Sequence, residues 1–91
     1  MLTKPVSFAG RELEINYSTS AGGLVRVELE DAAGSPLPGF TLADCDPIFG
    51  DEIARVVKWK SSSNVSALAG RPVRLRFVME DADLFSLRFR E

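Results

Sequence analysis

The chain has 91 residues, 45% hydrophobic and 26% charged, with a formal net charge of −2. A domain this short holds one core, burying roughly 60 to 65% of the surface that its unfolded chain exposes, and its composition is that of a globule rather than a disordered chain. The surplus of acidic over basic residues argues against a nucleic-acid partner, which calls for Lys and Arg gathered on one surface, and no apolar run approaches the ~18 residues of a membrane span.

Met1 to Val6 lacks the apolar stretch and cleavage site of a signal peptide. It enters strand-like sequence at once, with Pro5 to Phe8 as the first predicted strand. Residues 1–91 are therefore expected to form a single module cut from a longer protein, and a secreted or periplasmic parent stays open. From Arg11 to Ser18, Leu13, Ile15 and Tyr17 alternate with Glu12, Glu14 and Asn16. Val25, Val27 and Leu29 alternate in the same way with Arg26, Glu28 and Glu30. A period of two marks a strand with one dry face and one wet face. Ser20-Ala21-Gly22-Gly23 between these strands reads as a hairpin connection, because glycine reaches positive φ without penalty.

Asp31 to Pro36 is a predicted turn, and Pro36 and Pro38 confine Leu37 to Phe40 to an edge or irregular strand. Asp44 to Glu52 reads as a loop pinned by Ile48 and Phe49. Ile53, Val57 and Trp59 share one parity of the next strand, and Ser61 to Asn64 form the loop after it. Val73, Leu75, Phe77 and Met79 then alternate with Arg74, Arg76, Val78 and Glu80. Phe85, Leu87 and Phe89 alternate with Ser86, Arg88 and Arg90 beyond an acidic turn at Glu80 to Asp83. Short segments recurring roughly every 10 to 15 residues without helical periodicity predict an all-β fold, an antiparallel β-sandwich of seven or eight strands.

The chain contains no histidine, which excludes Ser-His and Cys-His nucleophile pairs within it and zinc sites of the usual Cys and His spacing. Cys45 is the only cysteine and forms no internal disulfide. Carboxylates remain. Asp44, Asp46, Asp51 and Glu52 are the densest acidic stretch, read first as turn-forming residues and second as oxygen ligands for Ca²⁺; no other cofactor is expected. Trp59 and Tyr17 are the aromatic residues able to stack on a sugar ring and offer it a polar atom, although their parity points both at the core first. Arg74, Arg76, Arg88 and Arg90 fall on the outward face of the last two strands. They either interleave with Glu12, Glu14, Glu28 and Glu30 or dock on an acidic partner domain.

Across Asn16 to Ala21, Gly39-Phe40, Asp44 to Asp46, Phe49 to Glu52, Trp59-Lys60, Asn64 to Phe77 and Asp81 to Leu87, the chain resembles a known family. This is the C-terminal β-sandwich module of five-bladed-propeller glycosidase-like proteins, related to glycoside hydrolase families 32 and 43. The Val65-Ser66-Ala67-Leu68-Ala69-Gly70 run has a mechanical use that many unrelated jelly rolls share, with Val65 and Leu68 placed to plug the sandwich end and Gly70 to turn the chain toward Val73. The resemblance implies a jelly-roll-like accessory domain without catalysis of its own. The catalytic propeller would be its partner, with oligo- or polysaccharide as a further one, and neither nucleic acid nor membrane. An adhesion or oligomerisation sandwich is the alternative, and an enzyme built on Asp44, Asp46 or Asp51 ranks third.

Overall fold

The computed structural model describes residues 2–60 and 62–90, without the side chains of Ala21 and Ile53. The shared parity expected of Ile53 and the start of the loop at Ser61 thus lie outside the described residues. Three strands form one antiparallel sheet in the order β2-β1-β3: β1 (Glu12–Asp31), β2 (Asp51–Val56) and β3 (Val73–Arg90). A single 3₁₀ turn, Ser66–Leu68, precedes β3, and no α-helix occurs among the described residues. Leu2 and Val6 bridge to Arg76 and Val73 along the free edge of β3, so Pro5 to Phe8 contributes one isolated bridge, at Val6, rather than a strand.

β1 pairs with β3 from Glu12↔Arg90 to Asp31↔Val73. This overturns two sequence expectations. Ser20 to Gly23 is not a hairpin, and Glu80 to Asp83 does not reverse the chain. Thr19 pairs with Ala82 and Leu24 with Glu80, so residues 20–23 of β1 stand opposite Asp81 alone. The irregularities face each other, both strands bend at one level, and the ladder resumes beyond them. Counted as halves at this corner, the long strands and β2 make five segments. Gly22 (φ 80) and Asp81 (φ 47) supply the positive φ values, which a bulge draws from the same residue types as a turn does.

Leu13, Ile15 and Tyr17 from the first half of β1 and Val25, Val27 and Leu29 from the second are buried with Val73, Leu75 and Phe77 of β3. Connecting segments complete the same cluster with Cys45, Ile48, Val57, Trp59, Val65 and Leu68. Val25 and Ile48 exchange backbone hydrogen bonds of 2.9 and 3.0 Å, which hold the 44–50 loop beside the second half of β1. Of the apolar pair expected to pin that loop, Ile48 is buried and Phe49 is exposed. Val65 and Leu68 are buried at the 3₁₀ turn, and Gly70 adopts φ 81 just before β3.

On the outer face, Glu12 stands opposite Arg90, Glu14 opposite Arg88, Glu28 opposite Arg76 and Glu30 opposite Arg74. Opposite charges thus alternate between the strands, as cross-strand pairing favours. Glu14 is buried between Arg88 Nε at 2.8 Å and Arg90 Nη1 at 2.5 Å, and Arg90 Nε also reaches Glu12 at 3.1 Å. The Arg88 hydrogen bond is the main reason that the Glu14 carboxyl titrates below the ordinary glutamate value.

Glu30 behaves in the opposite way. Its hydrogen bond to Glu28, followed by desolvation, raises its pKa above the ordinary 4.5, and Arg76 and Arg74 offset this only in part. The folded protein therefore holds this proton more tightly than the unfolded chain. The resulting stability is complete below pH 4.5 and is lost as pH rises through the folded value. Glu30→Gln cannot ionise, and thermal melts should show it: parent and variant midpoints converge near about pH 4 and separate toward neutrality with the variant higher. Equal midpoints at neutral pH would count against a destabilising ionisation here.

Candidate functional site

β1 is the middle strand of the sheet, and its residues Asn16 to Ser18 bring the start of β2 and the last part of β3 together. Tyr17 pairs with Glu52 and Ser18 with Asp51 on one side. On the other, Asn16 pairs with Ser86 and Tyr17 with Leu84. One step along β1 is matched by two along β3, so Phe85 is the extra residue of a β-bulge, which re-aims its side chain. Phe85 is 63% exposed, whereas its neighbours Leu84 and Leu87 pack against the core. The expectation that Phe85, Leu87 and Phe89 share a dry face fails at Phe85 for this reason.

The result is an open groove of about 410 Å³ lined by Asn16, Tyr17, Ser18, Asp51, Glu52 and Phe85. Its acids are held from one side each. Asp51 Oδ1 accepts the Thr19 N–H at 2.9 Å, and Glu52 Oε2 accepts from Arg55 Nη1 at 2.9 Å. The Tyr17 hydroxyl donates to the Phe49 carbonyl and lies 3.2 Å from Glu52 Oε2. Asp51 Oδ2, Glu52 Oε1, the Asn16 amide and the Ser18 hydroxyl make no side-chain hydrogen bond among the described residues. The Arg55 hydrogen bond keeps Glu52 below the ordinary carboxylate range, and burial, then the Glu52 charge, pushes the Tyr17 phenol up. A second hollow, beside Arg11, Glu12, Ser63 and Asn64, carries no aromatic residue, and its Ser63 hydroxyl is already given to Glu12 at 2.8 Å.

The other residues singled out from the sequence are dispersed. Trp59 is 2% and Tyr17 1% exposed, so neither ring offers a face to a ligand. Trp59 Nε1 donates to the Val27 carbonyl at 2.9 Å and its ring meets Phe40 edge-on at 5.5 Å. Asp44 accepts the Thr41 hydroxyl at 3.0 Å and pairs with Lys60 at 3.3 Å; the Thr41 bond is the main cause of its lowered pKa. The Asp46 N–H donates to the Lys58 carbonyl at 2.9 Å. Among the described residues no three His, Cys, Asp or Glu side chains gather into a group that could hold a metal ion, so Asp44, Asp46, Asp51 and Glu52 do not form one ligand set. Arg88 and Arg90 are engaged with Glu14, Arg74 Nε donates to the Ala32 carbonyl at 2.9 Å, and exposed Arg76 borders a hollow with Leu2, Glu30 and Gly34.

Sequence reasoning missed Phe85, Asn16 and Ser18 as site residues. The signal was the broken alternation Leu84-Phe85-Ser86-Leu87, where adjacent apolar residues followed by a skipped beat mark an inserted position. The chain matches no family model, no curated protein and no solved structure.

Proposed function

We propose that the chain is a non-catalytic accessory domain of a carbohydrate-active enzyme, packed against a catalytic propeller, as its resemblance to glycosidase-associated modules implies. In this reading the bent ladder and the connecting segments form the two layers of a jelly-roll-like β-sandwich. That is consistent with one apolar cluster fed from both halves of β1 and from the loops between strands. Bond-breaking chemistry then belongs to the partner domain.

The observation that carries the docking role is an apolar edge beside a guanidinium. Leu2, 50% exposed, and Val6, 37% exposed, lie along the outer edge of β3, with exposed Arg76 bridged to Leu2. Large apolar side chains bared together at a rim mark a contact surface, and Arg is a common anchor at such interfaces. Mixing the chain with the propeller of its parent is expected to raise the propeller's thermal midpoint. The double variant Leu2→Lys, Val6→Lys should abolish that rise while changing the module's own stability by no more than about 1 kcal/mol, as for two exposed positions. No rise with the unmodified chain would remove the docking role. The alternative, an adhesion or oligomerisation domain, draws on the position of β2 at the edge of the sheet. It requires dimers in sedimentation.

A further inference from the structure

We infer that the groove between β2, the Asn16–Ser18 stretch of β1 and the bulge of β3 binds a neutral sugar unit, its ring stacked on Phe85 and its hydroxyls hydrogen-bonded to Asn16, Ser18, Asp51 and Glu52. The inference rests on the accessory role proposed above and gives that role a ligand site. Three properties of the groove converge on it.

The first is Phe85 itself. Leu84 before it and Leu87 beyond it pack against the core, and the inserted position holds a large ring in solvent at 63% exposure, against the hydrophobic driving force. A sugar presents an axial C–H face of slight positive charge, which complements the negative face of an aromatic ring. The second is the polar set around the ring. Asn16 both donates and accepts, Ser18 does the same through one hydroxyl, and carboxylate oxygens accept from hydroxyl groups. Asp51 and Glu52 are each fixed through one oxygen, by Thr19 N–H and by Arg55, so the second oxygen is positioned before a ligand arrives. Such preorganisation lowers the entropic cost of binding.

The third is charge. Glu52 pairs with the Arg55 guanidinium, which keeps its carboxylate ionised, and Asp51 makes no ion pair among the described residues. A uronate or sulfated sugar meets repulsion there, whereas a neutral one does not. The openness of the groove fits a chain that stays largely in water and contacts the protein along one ring.

Titration of the ¹⁵N-labelled chain with xylo-, arabino- and fructo-oligosaccharides, with oligogalacturonate and oligolysine as charged comparisons, tests this directly. Amide shifts centred on Asn16, Ser18, Asp51, Glu52 and Phe85 are expected with at least one neutral oligosaccharide and not with oligogalacturonate. Phe85→Ala, a change at an exposed position, should weaken that binding roughly tenfold, the size of one lost aromatic stacking contact, and Phe85→Trp should tighten it. Shifts elsewhere on the surface, shifts with oligolysine alone, no shifts with any probe, or undiminished binding by Phe85→Ala would each overturn the inference. The propeller-midpoint experiment reads the Leu2 and Val6 edge, on the other half of the bent ladder. A chain that stabilises the propeller but ignores sugars keeps the accessory role and loses the groove. One that binds sugars at Phe85 but leaves the propeller unchanged loses the docking role instead.

Discussion

Trp59→Ala is expected to be among the most damaging single substitutions, costing roughly 3–5 kcal/mol. A chain of 91 residues holds only about 5–14 kcal/mol in total. The ring is buried at the meeting point of the 44–59 connection and the second half of β1, packed edge-on against Phe40. Its removal leaves a cavity that the surrounding structure closes only in part. Trp59→Phe separates the contributions. It keeps much of the apolar contact but takes away the indole N–H that satisfies the Val27 carbonyl at 2.9 Å, and a buried acceptor left without a partner costs about 1–3 kcal/mol. Urea unfolding followed by circular dichroism should therefore give midpoints in the order parent, Trp59→Phe, Trp59→Ala, with similar slopes. Equal midpoints for phenylalanine and the parent would mean that the indole hydrogen bond contributes nothing. Because Trp59 is enclosed, its fluorescence reports the core, and sugar binding at the groove is better followed by amide shifts.

Gly23→Ala should be the second large effect, and its comparison with Gly22→Ala tests the account of the corner. A Cβ at Gly23 would sit 2.6 Å from the carbonyl oxygens of both Glu80 and Asp81. Both obstacles are backbone atoms of β3, so relief requires the ladder itself to move, and overpacking of this kind costs about 1–3 kcal/mol or more. Gly22 has open space around it and φ 80, so alanine there meets only the left-handed penalty, about 1–2 kcal/mol. Gly23→Ala is expected to lower the denaturation midpoint further than Gly22→Ala. The reverse order would show that the β1–β3 contact at the corner is looser than the register implies.

Much of the core was legible in the alternation. Leu13, Ile15 and Tyr17, Val25, Val27 and Leu29, and Val73, Leu75 and Phe77 are buried as their parity predicts, because a strand's faces are set by a period of two wherever pairing is regular. Trp59 was placed inside by the same rule. The interleaving of Glu12, Glu14, Glu28 and Glu30 with the four arginines was legible only on the condition that those strands are neighbours, a matter of register. The corner was not legible. Glycines and an acidic run announce positive φ, and whether such a residue reverses a chain or sits in a bulge depends on what lies across the ladder. Phe85 was misplaced for a related reason: the register shift between Asn16 and Tyr17 makes it the extra residue and turns it outward, while Leu87 and Phe89 beyond it keep their expected inward parity. The groove depends on that shift, so residue types alone did not reveal it.

The long pairing of β1 with β3 also sets a schedule for the newborn chain. Asp31 finds its partner in Val73 and Glu12 in Arg90, so on a ribosome adding about 5–20 residues per second the first strand emerges several seconds before its complement exists. Throughout that wait its apolar side chains and unpaired amides are open to other nascent chains. Ladders joining distant parts of a sequence also form slowly once available. Yield in a host cell should accordingly depend more on temperature and holdase chaperones than on the stability of the finished domain.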